Sequence, residues 1–211
     1  GLGDVYKRQA AGEVKDVRKT VSPVLQPKKS TLYYIDFSSD SMKLGGSALA
    51  QTLNRLGKEA PTVVDAKQFE KTFNAVQKLV KSKALLAAHD VSEGGLLTCL
   101  LEMAFANVNG GIELNADAFA KLGENDVVKI LFAENPALII QVADSKKERV
   151  ESELEKAGAK YCAIGTPVKE RILTVKHNDA EQMLFIDHLR DVWFRSSYLM
   201  DAVQSLSLIH I

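Results

Sequence analysis

Cysteine is scarce in this chain, and its two thiols stand far apart. Cys99 falls in a helical pattern and Cys162 in an expected strand. Neither has a second thiol at ligand spacing, which argues against a disulfide framework or a zinc site. Both read as small buried hydrophobes of a reducing compartment, the cytoplasm. Net charge is absent as well: 27 Lys and Arg balance 27 Asp and Glu. That balance lacks the basic surface of a nucleic-acid binder. No apolar run approaches the roughly 20 residues of a membrane helix, and no signal peptide is visible. The Walker pattern G-x-x-x-x-G-K-[ST], the dinucleotide pattern G-x-G-x-x-G and the nucleophile motif G-x-S-x-G are all missing. So are internal repeats and low-complexity tracts.

What remains is 46% hydrophobic and 26% charged, ordinary for one globular domain with a full core. Strands are expected at Thr31–Phe37, Ala84–Ala88, Gly110–Leu114, Ala137–Val142, Lys160–Ile164 and Arg171–Lys176. A helix is expected from Gly45-Gly46-Ser47 to Leu56, with Leu49, Leu53 and Leu56 on its apolar face. A second runs from about Asp65, its cap, to Ser82, burying Phe69, Phe73, Val76 and Val80. A third covers Leu96–Phe105. Two short helices flank Gly123, another spans Ser145–Ala157, and Leu184–Met200 closes the chain with Trp193 and Phe194 inward. The strand–helix–strand block at Ala137–Ile164 suggests a split, ferredoxin-like unit. The fold class expected is α+β, a mixed sheet covered by helices.

The two ends mirror each other at the level of codons. Asp4–Gln9 can be encoded as GAT GTG TAT AAG AGA CAG, whose reverse complement encodes Leu206–Ile211. Gly1–Gln9 and Leu206–Ile211 are therefore expected to be translated sequencing adapter. Residues 10–29, polar and carrying Pro23 and Pro27, read as a linker, and residues 30–205 as the domain. The domain is expected to be an interior piece of a longer protein.

Chemistry concentrates at His89-Asp90-Val91-Ser92-Glu93-Gly94-Gly95, where a strand gives way to a helix. Asp90 offers a hard oxygen suited to Mg²⁺, and Ser92 offers a hydroxyl. The glycines let a ligand approach the backbone, and a helix N-terminus presents N–H groups to an anion. A plainer reading stands beside this one: Asp90 or Ser92 simply caps the following helix. His89 reads as a structural imidazole bonded to backbone, and Glu93 as solvated. Gly45-Gly46-Ser47 is a second glycine-opened helix start and a weaker anion signal.

Ala87–Gly95, AAHDVSEGG, with the following LLTCLLEMAFA, closely resembles the C-terminal domain of phosphoribosylformylglycinamidine synthases. These belong to the aminoimidazole ribonucleotide synthetase superfamily. Asp16–Val21 resembles the linker entering that domain in the large fused form. Leu44–Gln51 resembles its first glycine-opened helix. Leu189–Phe194 resembles the helix leading toward a C-terminal glutaminase. The resemblance implies a cytoplasmic ATP-dependent carbon–nitrogen ligase of purine biosynthesis, a glutamine amidotransferase. It implies conversion of formylglycinamide ribonucleotide to the amidine, ATP activating the amide oxygen and ammonia displacing the phosphate. It implies Mg²⁺ with ATP or ADP, Asp90 as a metal ligand and Ser92 as a nucleotide contact. The partners implied are preceding synthetase domains, with the other metal ligands, and the glutaminase; the chain alone holds no complete catalytic set. Two alternatives stay open: a structural Mg-ADP site that turns over nothing, and another superfamily member.

Overall fold

Ser30–Asp36 is apolar on both sides, and a strand of that kind belongs in the middle of a covered sheet. In the computed structural model, which describes residues 13–14 and 16–208, it is β1. Leu32 and Tyr34 enter one apolar cluster, while Tyr33 and Ile35 enter the other. Ala48–Thr52 follows as α1, Ala66–Lys81 as α2, Ala87–Val91 as β2 and Gly95–Phe105 as α3. Next come β3 (Gly111–Asn115), a 3₁₀ turn at Ala116–Leu122, α4 (Val127–Phe132) and β4 (Ala137–Ala143). The chain ends with α5 (Lys147–Lys156), β5 (Lys160–Val168), β6 (Ile172–His177), β7 (Ala180–Phe185) and α6 (Ile186–Leu208). Gly1–Gln9 lies outside the described residues. Of Leu206–Ile211 only Leu206–Leu208 is described, as the end of α6.

The seven strands lie in the order β2-β4-β1-β5-β3-β6-β7. All neighbours are antiparallel except β3 and β6. The class is thus α+β, as expected. The expected split unit is present: β4, α5 and β5 form a crossover with β1 inserted between the two strands. One core lies on the face of α3 and α4 and is filled by Leu100, Met103, Phe119, Ile130 and Ile139. The other lies beneath α2 and α5 and holds Val76, Leu79, Ile140, Val150 and Leu154. Each such buried side chain contributes about 1.5–3 kcal/mol. Cys99 and Cys162 are both buried and free. Burial pushes both thiols up, Cys162 to about 12, so neither is poised as a nucleophile.

Several elements differ from the expected ones. α1 stops at Thr52 because Asn54 turns left-handed at φ 53° and the Arg55 amide bonds back to the Ala50 carbonyl at 2.8 Å. Leu53 and Leu56 are exposed, and Ala50 is the buried residue. α2 starts as expected: Asp65 accepts from the Lys67 and Gln68 amides, both at 3.0 Å. Its buried stripe, however, is Thr72, Ala75, Val76 and Leu79, with Phe73 exposed. β2 lies three residues later than expected, which moves His89 and Asp90 inside a strand. β7 was not expected; it pairs with β6 as a hairpin turning at Asn178, φ 50°. Trp193 and Phe194 do not point inward, being 51% and 50% exposed.

The segment before β1 is bonded to the domain. Leu25 is buried in the core, and its amide donates to the Met103 carbonyl at 2.9 Å. Gln141, in the middle of β4, is fully buried. Its carbonyl oxygen accepts from the Gln26 amide, and its NH₂ donates to the Gln26 carbonyl and the Ser30 hydroxyl, all at 2.8 Å. Three bonds cancel the desolvation of one amide side chain. Gln141→Leu strands those partners and is expected to cost about 1–3 kcal/mol in urea denaturation, with faster hydrogen exchange at the Gln26 amide.

Candidate functional site

β2 is an edge strand, paired only to β4 among the described residues, and its last residues define the candidate site. Ala87 and Val91 are buried. Asp90 and Ser92 flank Val91, and the strand alternation turns both outward. The Asp90 side chain is 78% exposed, and Ser92 and Glu93 are exposed too. His89 is bound to its surroundings: Nδ1 lies 2.8 Å from the Asp90 carbonyl, which assigns the ring proton to Nδ1. Nε2 lies 3.5 Å from the Glu102 carboxylate on α3.

Neither Asp90 nor Ser92 caps α3 by its side chain. The N-cap is Gly94, left-handed at φ 87°, with no side-chain cap bond, so Ser92 sits two residues too early for that role. The Ser92 carbonyl instead accepts from the Gly95 amide at 3.0 Å. Gly95 has φ +71°, and a Cβ there would lie 2.7 Å from the Leu131 carbonyl oxygen. These glycines therefore let the loop turn and let α3 start flush against the end of α4.

The Gly94 amide, at the N-cap of α3, is taken by a side chain. It donates to Glu134 Oε1 at 2.8 Å. The same oxygen accepts from the Ala48 amide, the first residue of α1, at 2.7 Å. The two glycine-opened helix starts thus share one carboxylate oxygen. At the second of them, Ser47 is a true N-cap, accepting from the Ala50 amide at 3.2 Å. Its glycine amides serve their own loop, Gly45 to the Glu59 carbonyl at 2.9 Å and Gly46 to the Leu56 carbonyl at 2.7 Å. The sequence reading missed Glu134. Its signal was an acid in a short loop between a helix and a strand, before Pro136.

Beside these loops lies a polar cavity of about 190 Å³, whose lining includes Asp36, Ser39, Asp40, Ser41, Asn135 and Lys160. Asp36 shapes its wall by accepting from the Ser38 amide at 2.8 Å and the Ser39 amide at 3.1 Å. Ser39 is left-handed there, φ 54°. The Lys43 ammonium, 2.8 Å from Asp40, holds that carboxyl below its usual range.

The fold is of the α+β class, a mixed seven-stranded sheet with an exposed acid and hydroxyl beside a glycine-opened helix. The family model described as "AIR synthase related protein, C-terminal domain" matches residues 37–178. The chain belongs to that family. Among solved structures it is similar to Thermotoga maritima PurL complexed with FGAR, at 16% identity and a TM-score of 0.65, over 82% of this chain and 30% of that one. It is similar to phosphoribosylformylglycinamidine synthase II from Thermotoga maritima, at 13% identity and TM-score 0.61, over 81% and 27% of the two chains. It is also similar to Escherichia coli HypE, a hydrogenase maturation protein, at 19% identity and TM-score 0.52, over 78% and 51%. Identities this low carry the fold and not the activity. The chain spans less than a third of the Thermotoga proteins' length.

Among the described residues no three His, Cys, Asp or Glu gather as a metal site. Mg²⁺ needs only one or two carboxylates plus phosphate and water, so the chemistry of exposed Asp90 fits that of a single carboxylate ligand. No helix among the described residues is long and apolar enough to cross a membrane. Gly95→Ala is expected to destabilise the chain by about 1–3 kcal/mol, read as a drop of several degrees in Tm.

Proposed function

We propose that residues 30–205 form the C-terminal domain of the synthetase part of a large, fused phosphoribosylformylglycinamidine synthase, entered by a linker at residues 10–29. The observation that carries this reading is the pair Asp90 and Ser92, both exposed at the end of β2. They occupy the acid and serine positions of H-D-x-S-x-G-G. Support comes also from the fold, shared with Thermotoga PurL structures complexed with ATP, ADP and FGAR. The reaction proposed is the ATP- and glutamine-dependent conversion of formylglycinamide ribonucleotide to the amidine. Preceding synthetase domains and a glutaminase complete it.

In this reading Asp90 gives one carboxylate oxygen to Mg²⁺, and the Ser92 hydroxyl donates to a phosphate of ATP or ADP. Mg²⁺, when bound, neutralises phosphate charge. Val91, buried between the two, fixes their common direction. His89 anchors the strand end through its bond to the Asp90 carbonyl. Because no three metal-ligating side chains gather among the described residues, the rest of the metal shell would come from a facing domain. The same geometry serves a site that reacts or a Mg-ADP site that only holds two halves together.

This chain alone is expected to show no turnover of formylglycinamide ribonucleotide with ATP and ammonia; measurable amidine formation would sink the composite-site reading. In the longer synthetase, Asp90→Asn is expected to weaken Mg-ADP retention at least tenfold. Equal ADP on co-purification would remove Asp90 from the ligands. A lost ammonia-dependent rate with unchanged Tm marks a reacting site, and a full rate with lowered Tm marks a holding one.

A further inference from the structure

We infer that Glu134 is a positioning residue: its carboxylate locks the loop that follows β2, which carries Ser92 and adjoins Asp90, to the loop at Leu44–Ala48. The functional part of this inference rests on the reading proposed above. One oxygen, Oε1, accepts from Gly94 at 2.8 Å and from Ala48 at 2.7 Å. An ionised acceptor makes stronger bonds than a neutral one, and these two join elements distant in sequence. The start of α3 and the start of α1 therefore cannot separate without breaking a bond to the same atom. Two helix N-termini also carry partial positive charge, which a carboxylate between them relieves.

The next residue extends the lock. Asn135 is buried. Its NH₂ donates to the Ser38 hydroxyl at 3.2 Å and the Ser41 carbonyl at 3.1 Å, and its oxygen accepts from the Lys43 amide at 3.3 Å. Consecutive side chains thus fix the cavity loop and the Asp90 loop to one another. The backbone behind them is itself held, since the Pro136 carbonyl accepts from the Phe37 amide at 2.9 Å. Glu134 touches no ligand in this role. It sets where Asp90 and Ser92 stand relative to the cavity wall.

Amide hydrogen exchange of this chain tests the coupling. In Glu134→Ala the Gly94 and Ala48 amides are expected to exchange together, each faster by about tenfold or more. Glu134→Gln keeps an acceptor oxygen at the same reach and is expected to restore both to within about threefold. An unmoved amide in the alanine variant, or a glutamine variant that behaves like alanine, overturns the lock. If Glu134→Ala does not fold, Glu134→Asp replaces it. That variant keeps the charge but withdraws the oxygen by one methylene, and it should release at least one amide; protection of both overturns the proposal. In the longer synthetase, Glu134→Ala should weaken Mg-ADP retention at the Asp90 and Ser92 site about tenfold, with Glu134→Gln rescuing it. Unchanged retention overturns the positioning role. A longer protein with no such activity overturns only the functional reading, and the exchange data still decide the lock.

Discussion

The structure depends on one constraint: β1 must bury both faces while bonded on both edges. Its alternating side chains feed two separate cores, Leu32 and Tyr34 to one and Tyr33 and Ile35 to the other. No backbone group of a strand so placed reaches water, so β4 and β5 must supply its partners. Once they do, the crossover through α5 covers one face, and α3 and α4 cover the other. The loop with Asp90 and Ser92 is then carried on β2, one strand out from β4. The candidate site is exposed because it lies at the edge of a sheet whose centre is closed.

That placement separates stability from chemistry. The residues that hold the sheet are apolar and buried. The candidate ligands, Asp90 and Ser92, sit at a strand end whose neighbours do the anchoring. Glu134 and Asn135 perform the connection, and neither lies on a strand. Polar side chains in a loop between α4 and β4 thus determine the spacing between two glycine-rich turns. The glycines themselves are explained by packing: Gly95 abuts α4, and Gly45 abuts the Glu59 carbonyl. Their amides are satisfied from within the chain.

The fold class and most strands were legible because aromatic, β-branched and apolar residues run together in Ser30–Asp36 and Ala137–Ala143, strands buried on both faces. The cap of α2 was legible because an aspartate before a helical run has a local job. The stripe of α2 was legible in part: Val76 is buried and Phe69 and Val80 pack against the core, while Phe73 is exposed and Thr72, Ala75 and Leu79 complete the buried face. α1 ended early through a left-handed Asn54, which no apolar pattern announces. Trp193 and Phe194 were misplaced because aromaticity was read as burial, and α6 leaves both half exposed. In the candidate site, Asp90 and Ser92 were found by their motif. Glu134 was missed because its partners are backbone amides about 40 and 86 residues away, and a sequence pattern records side chains only.

The inserted position of β1 also orders events in time. Its partner in β5 is synthesised about 130 residues later, as Leu32 pairs with Gly165. Until then two rows of apolar side chains and a free edge wait unpaired. Pairings so far apart make the loop-closure cost large and the folding slow. A nascent chain with this topology therefore keeps one edge of β1 unpaired until β5 emerges, and its commitment to the native sheet comes late.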